Sequence, residues 1–216
     1  MQVARNLNFV RSRITQAKES VGRTDSLTLI AVSKTVAPSL LQEAWDGGQR
    51  HFGESRLQEA QPKIDALPVQ AEWHFIGNLQ SNKAKKIGQT FDFIHSLYSE
   101  AQLKELAKCD RPVRAFIEVN IAQEPQKGGV FPHLLDEFVQ LVLNYSQVQI
   151  QGLMTVGPIV ESPEDSRQYF RELKRLNDRL GFSNLSMGMS QDYEVAIQEG
   201  ATHIRVGSAI FGSRQT

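Results

Sequence analysis

Residues 27–54 read LTLIAVSKTVAPSLLQEAWDGGQRHFGE, and this stretch decides the fold. Its first eight residues are a short apolar run rich in β-branched side chains, bounded by Arg23-Thr24-Asp25-Ser26 before and Ala37-Pro38 after, which predicts a strand. Pro38 suits the first turn of a helix, helical spacing follows over 39–47, and a second apolar run, RHFGE, stands at 50–54. The alternation continues with apolar runs at 72–77, 92–97, 113–120, 150–157, 184–190 and 203–211. Between them, helical periodicity covers segments such as 99–108, 132–145, 164–180 and 191–199. Strand then helix, repeated eight times, implies parallel pairing with right-handed crossovers. An open doubly wound sheet satisfies the same order, but eight short units of similar length favour an α/β fold closed as a (β/α)8 TIM barrel. Upstream, Val3, Leu7, Val10 and Ile14 recur at helical spacing and predict an amphipathic N-terminal helix ending near Val21-Gly22. No linker divides the chain, so residues 1–216 are expected to form one barrel domain.

Composition narrows the partners. Lys plus Arg and Asp plus Glu each number 24, so the net charge is zero and no long-range field draws the protein to nucleic acid or anionic lipid. The one cysteine, Cys109, has no intrachain disulfide partner, and MQVARNLNFVRSRITQAKES lacks the apolar core of a secretory signal, which makes cytoplasm the expected compartment. No apolar run approaches the roughly 20 residues that cross a bilayer. His51, His74, His95, His133 and His203 lack close ligand spacing with one another or with Cys109, which argues against a metal site and leaves each as a strand-end or surface histidine. No Gly-x-Gly-x-x-Gly turn or Walker loop supports nucleotide binding. The run Asn82-Lys83-Ala84-Lys85-Lys86 reads as a solvated helix face before it reads as a docking site for an acidic partner.

Active sites of barrels gather at the C-terminal ends of the strands, so the polar residues there carry the argument. Ile30, Val32 and Lys34 share one face of the first strand; if that face is inward, Lys34 stands at the barrel mouth above an apolar column. Loss of hydration there favours the neutral amine needed for imine formation, although position alone favours a solvated lysine after a strand. The seventh strand ends in Gly188-Met189-Ser190 and the eighth carries Arg205-Val206-Gly207-Ser208. Loops after these two strands, beside a helix N-terminus, recurrently make a phosphate site in barrels. Arg205 shares its face with His203 and Gly207 and would point inward, either toward a ligand or into an ion pair with Glu118.

These residues belong to longer motifs. Ala31-Val32-Ser33-Lys34-Thr35, His51-Phe52-Gly53-Glu54, Trp73-His74-Phe75-Ile76-Gly77 with Leu79-Gln80-Ser81-Asn82-Lys83, Gly152-Leu153-Met154-Thr155, Met187-Gly188-Met189-Ser190 with Asp192, and Arg205-Val206-Gly207-Ser208-Ala209-Ile210-Phe211-Gly212 lie in that order along the chain. Together they closely resemble the YggS/PROSC family of pyridoxal phosphate homeostasis proteins. The resemblance implies a fold type III barrel, like the N-terminal domain of alanine racemases, holding pyridoxal 5′-phosphate as a Schiff base on Lys34. It further implies a phosphate held near Ser190, Gly207 and Ser208, with Met189 and Ser55 lining the site and Arg205 facing the pyridine nitrogen. An arginine there keeps its proton, disfavours a protonated ring and weakens the electron sink. Three positions depart from the usual pattern: Ser55 stands in place of asparagine, Ser208 in place of threonine, and Tyr98 where smaller residues are usual.

The expected function is therefore a cofactor carrier or buffer, with no catalytic residue, that supplies or sequesters pyridoxal phosphate for apoenzymes and acts as a monomer. Racemases with this barrel carry an added β domain whose tyrosine is the second acid/base, and only five residues follow Phe211 here. The alternative is a pyridoxal phosphate enzyme such as a racemase, with Lys34 as one base and Tyr98 or a histidine as the other. A third reading, a regulatory interaction protein, has only the Lys83–Lys86 run behind it.

Overall fold

The computed structural model describes residues 2–212. Eight parallel strands pair in chain order and close, the first against the last: β1 Thr28–Val32, β2 His51–Glu54, β3 Glu72–Phe75, β4 Phe93–Leu97, β5 Val113–Glu118, β6 Val148–Met154, β7 Asn184–Ser186 and β8 His203–Val206. Helices fill the crossovers: α2 Pro38–Asp46, α3 Leu57–Ala66, α4 Ser81–Thr90, α5 Glu100–Leu106, α6 Leu135–Val142, α7 Arg167–Arg179 and α8 Tyr193–Gln198, preceded by α1 Gln2–Glu19 and followed by the short α9 Ser208–Phe211. The closed barrel is the predicted one, and the open sheet is excluded by the β1–β8 ladder, in which Ile30 pairs with Arg205 and Ala31 with Val206.

Side-chain parity sorts the interior into two layers. Leu29, Ala31, Phe52, Trp73, Phe75, Ile94, Ile117, Leu153, Ile204 and Val206 face outward and pack with helix residues such as Leu41, Ala44, Leu103, Phe170 and Leu173. The inward residues include Ile30, Val32 and Ile76, whose side chains surround the Cα of Gly53. On α1 the buried stripe is Val3, Leu7, Val10, Ile14 and Ala17, and this helix lies against α2, α8 and α9. Period 3.6 places those residues on one face, and burying an aliphatic side chain contributes about 1.5–3 kcal/mol.

Two expectations are corrected. The apolar run 203–211 is not one strand: β8 ends at Val206 and the chain turns into α9. Gly207 makes that turn beside Val32, where a Cβ would lie 3.3 Å from both Val32 Cβ and Val32 O. Glycine lets the backbone turn this close to β1. The histidines are not strand-end or surface residues as a group either. His74 and His95 are fully buried and His203 is 9% exposed. Among the described residues, no helix is long and apolar enough to cross a membrane.

Candidate functional site at the barrel mouth

The C-terminal ends of β1, β2, β7 and β8 bring most of the expected residues together. Lys34 lies two residues beyond the end of β1, half-buried, and among the described residues its Nζ has no hydrogen-bond or ion-pair partner. Immediately after it, Thr35 takes φ +63°, with its hydroxyl donating to Lys34 O at 2.6 Å. A β-branched residue in the left-handed region costs about 1–2 kcal/mol, and such strain concentrates where a neighbouring side chain must be aimed.

Beneath Lys34 the backbone is pinned. Lys63 of α3 donates from Nζ to Ser33 O at 2.6 Å and to Glu54 Oε1 at 2.7 Å, and the Ser33 hydroxyl donates to the same Glu54 oxygen at 2.6 Å. Glu54 has no exposed surface, Lys63 is 7% exposed, and Glu54 Oε2 is without a hydrogen-bond partner. Neither residue was singled out from the sequence as a pair. Their contact joins a strand end to a helix nine residues later, which no local pattern encodes.

Across the mouth, Gly207 N–H donates to Ser190 Oγ at 3.1 Å, and Met189 N–H donates to Asp192 Oδ1 at 2.7 Å. The other Asp192 oxygen accepts from the Ser166 hydroxyl at 3.0 Å, so this carboxylate is occupied on both sides. Ser208 and Ala209 open α9, and the first N–H groups of a helix have no carbonyl within it. Met189 is 40% exposed at the rim. Ser55 follows β2, half-buried, with its backbone close to Gly77. A Cβ on Gly77 would lie 2.2 Å from Ser55 O, so only glycine allows that approach.

Arg205 points into the barrel. Its Nη1 donates to Ser186 Oγ at 2.5 Å and its Nη2 to Thr155 O at 2.8 Å. Burial lowers its pKa to about 10, which leaves it protonated at neutral pH. The alternative of an Arg205–Glu118 ion pair is not what forms, since no contact within 4.0 Å joins them among the described salt bridges. Glu118 instead lines a cavity of about 380 Å³ with Tyr98, Asn78, Asn120, Lys127 and Met154. Burial raises Glu118 to about 7, with the Arg205 charge opposing. Tyr98 reaches that cavity, its hydroxyl donating to Asn78 Oδ1 at 3.0 Å, and burial followed by the Glu118 charge pushes its phenol upward.

The histidines that sequence spacing did not connect are connected inside the barrel. His51 and His74 lie 3.1 Å apart between ring nitrogens, and His74 and His95 2.9 Å. Parity contained the signal: His51, His74 and His203 stand at i−2 to Gly53, Ile76 and Arg205, all inward. His51, His74 and His95 bond one another in file, and among the described residues no three His, Cys, Asp or Glu side chains are placed to hold a metal ion.

This burial has a pH consequence. Desolvation holds His74 and His95 well below the ordinary imidazole pKa and lowers His203 to about 4. A histidine with a depressed folded pKa binds fewer protons folded than unfolded, so its contribution to stability is lost as pH falls from about 6.5 toward the folded value. Glu118, raised to about 7, has the opposite sign and adds stability as pH falls from 7 toward its unfolded value. Three histidines outweigh one carboxylate. Chemical denaturation is therefore expected to show stability declining below pH 6.5, with His203 alone contributing about 1.4 kcal/mol per pH unit and His203→Leu flattening the slope by that amount. A slope unchanged in that variant would place a proton on His203 in the folded state.

Known proteins share this architecture. The family model for the alanine racemase N-terminal domain matches residues 5–215. The chain is 41% identical over 232 residues to the pyridoxal phosphate homeostasis protein of Aquifex aeolicus, covering all of both chains. It is 40% identical to the protein of the same name from Schizosaccharomyces pombe, covering 97% of this chain and 92% of that one. The solved structure of PipY from Synechococcus elongatus PCC7942 with pyridoxal phosphate bound superposes with a TM-score of 0.82 at 35% identity, covering 98% of this chain and 100% of that chain.

Proposed function

The chain belongs to the family of the alanine racemase N-terminal domain and of the pyridoxal phosphate homeostasis proteins, and from that premise we propose that it binds pyridoxal 5′-phosphate covalently through Lys34 and carries it without catalysing turnover. The observation that carries the reading is the amine of Lys34, without a partner among the described residues, beyond Val32, whose side chain packs on the Gly207 turn.

The residues present fit such a group. An anionic, ring-containing aldehyde calls for an amine, hydrogen-bond donors for its phosphate and a donor for its ring nitrogen. Lys34 supplies the first; Ser190 and the backbone of Gly207 and Ser208 supply the second, and Arg205 the third. Met189 and Ser55 line the rim. A side chain at Gly207 would intrude on the space beside Val32, as a cradle for a close-approaching ligand requires. Pyridoxal phosphate, once bound, offers an aldehyde to amines and, in enzymes, a sink for electrons. Arg205 would work against the second of these, because a guanidinium protonated at neutral pH can only donate to the ring nitrogen, which must then be unprotonated to accept.

The proposal extends to residues 1–216 acting as one unit, as a monomer in the cytoplasm, handing the cofactor to apoenzymes or to regulatory partners. The deciding experiment incubates the loaded protein with a broad panel of amino acids in deuterated water and, separately, with an apoenzyme. The expected result is activation of the apoenzyme and no deuterium at any α-carbon. Rapid α-exchange or racemisation would overturn the carrier reading. The second reading, a racemase-like enzyme, has one observation in its favour: Tyr98 and a carboxyl with a pKa of about 7, Glu118, share a cavity at the mouth. Exchange abolished by Tyr98→Phe would establish it.

A further inference from the structure

A single file of hydrogen bonds runs down the inside of the barrel, and none of the roles above uses it beyond its first residue. Arg205 Nη1 donates to Ser186 Oγ at 2.5 Å. Ser186 Oγ lies 2.8 Å from His95 Nδ1, His95 Nε2 lies 2.9 Å from His74 Nδ1, and His74 Nε2 lies 3.1 Å from His51 Nδ1. At the far end His51 Nε2 faces the Glu72 carboxylate at 3.9 Å. Five strands contribute: β8, β7, β4, β3 and β2.

Both ends of this file favour one direction. A guanidinium only donates, so Ser186 Oγ accepts from it and keeps its own hydrogen for His95 Nδ1, and at the other end the Glu72 carboxylate, beyond hydrogen-bond distance, attracts a hydrogen on His51 Nε2. In that direction Ser186, having accepted from Arg205, gives its own hydrogen to His95 Nδ1. Each imidazole in turn accepts at Nδ1 and donates from Nε2. Such a chain needs neutral rings, and desolvation keeps His74 and His95 neutral. The charged groups around it are Glu72 and Asp92 beside His51, Arg114 over the Phe93 ring, and Arg205 itself.

We infer that Ser186, His95 and His74 are positioning residues for Arg205, forming a polarised relay that fixes the guanidinium at the mouth and so sets how tightly an anionic heteroaromatic ligand is held there. The inference rests on the mouth being the pyridoxal phosphate site. Hydrogen bonds in a chain polarise one another, so loss of a distant link weakens the one made to Arg205. The other bond holding the guanidinium is to one backbone carbonyl, that of Thr155. If the rings merely filled space, stacked on Phe93 at 4.6 Å and Phe116 at 4.5 Å, their tautomers would be indifferent to Arg205.

The test has two arms. In cofactor-free protein, imidazole nitrogen-15 shifts report which ring nitrogen carries hydrogen. His74 and His95 are expected as Nε2–H in the wild type and as tautomer mixtures in both Arg205→Met and Ser186→Ala, although His74 bonds to neither substituted residue. Mixed tautomers in the wild type, or an unchanged His74 in two folded variants, would overturn the relay. In the second arm, pyridoxal phosphate affinity is titrated for His95→Leu and His95→Gln. Leucine is expected to weaken binding about tenfold, whereas glutamine, with one donor and one acceptor, stays within about threefold. Equal losses would reduce the histidine to packing. Failure of the wild type to bind the cofactor would remove the functional reading, while the tautomer arm would still decide whether the relay exists.

Discussion

Replacing Lys34 with alanine is expected to abolish the visible absorption band that pyridoxal phosphate develops with the wild-type protein, and to weaken its retention by roughly a hundredfold, about 2.7 kcal/mol. The substitution removes the one amine at the mouth that has no partner among the described residues, leaving only phosphate and ring contacts to hold the ligand. Lys63 cannot replace it, because its Nζ is buried between Ser33 O and Glu54 Oε1. The fold should be indifferent: a half-buried side chain without partners is worth little, and unfolding stability is expected to stay within about 0.5 kcal/mol of wild type. A band of equal intensity in the variant would move the attachment to another lysine and end the assignment.

Lys63→Met is expected to destabilise the protein by about 3–5 kcal/mol, because it strands the Glu54 carboxylate in the interior without its cation. Glu54 is fully buried with one oxygen already without a partner, and the neutral Ser33 hydroxyl on the other cannot balance its charge. The double variant Lys63→Met, Glu54→Leu should regain most of the loss, since two apolar side chains avoid the burial cost of both charges. Denaturant midpoints at constant m-value measure both effects. A loss under about 1 kcal/mol in the single variant would mean that Glu54 takes up a proton or reaches water. Because Lys63 also holds Ser33 O, the residue before Lys34, the single variant should loosen the ligand amine as well.

Most of the architecture was legible because it is written in periodicity. The run LTLIAVSK could only be a short buried strand, and eight such runs separated by helical spacing could close as a barrel. Helix α3, which carries Pro62 in its interior, was not among the segments picked out by periodicity, and α4 was read only from the solvated face of its polar run SNKAKK. The strand–helix turn at Gly207 was read through as strand, because the run 203–211 stays largely apolar across it. Parity correctly sent Arg205 into the barrel. It could not say which inward neighbours would touch, since that depends on how far each strand is staggered around the barrel. Hence Glu118 was considered as a partner for Arg205 and Ser186 was not. The three histidines stand one strand–helix unit apart, at 51, 74 and 95, a spacing far too long to read as a cluster until the barrel closes.

The account stands on the identity of one lysine. Borohydride reduction of the protein mixed with pyridoxal phosphate, followed by peptide mapping, fixes the bond permanently and identifies its position. The account predicts one modified peptide, carrying the phosphopyridoxyl group on Lys34. Modification spread over surface lysines such as Lys83 and Lys86, or none at Lys34, would contradict it.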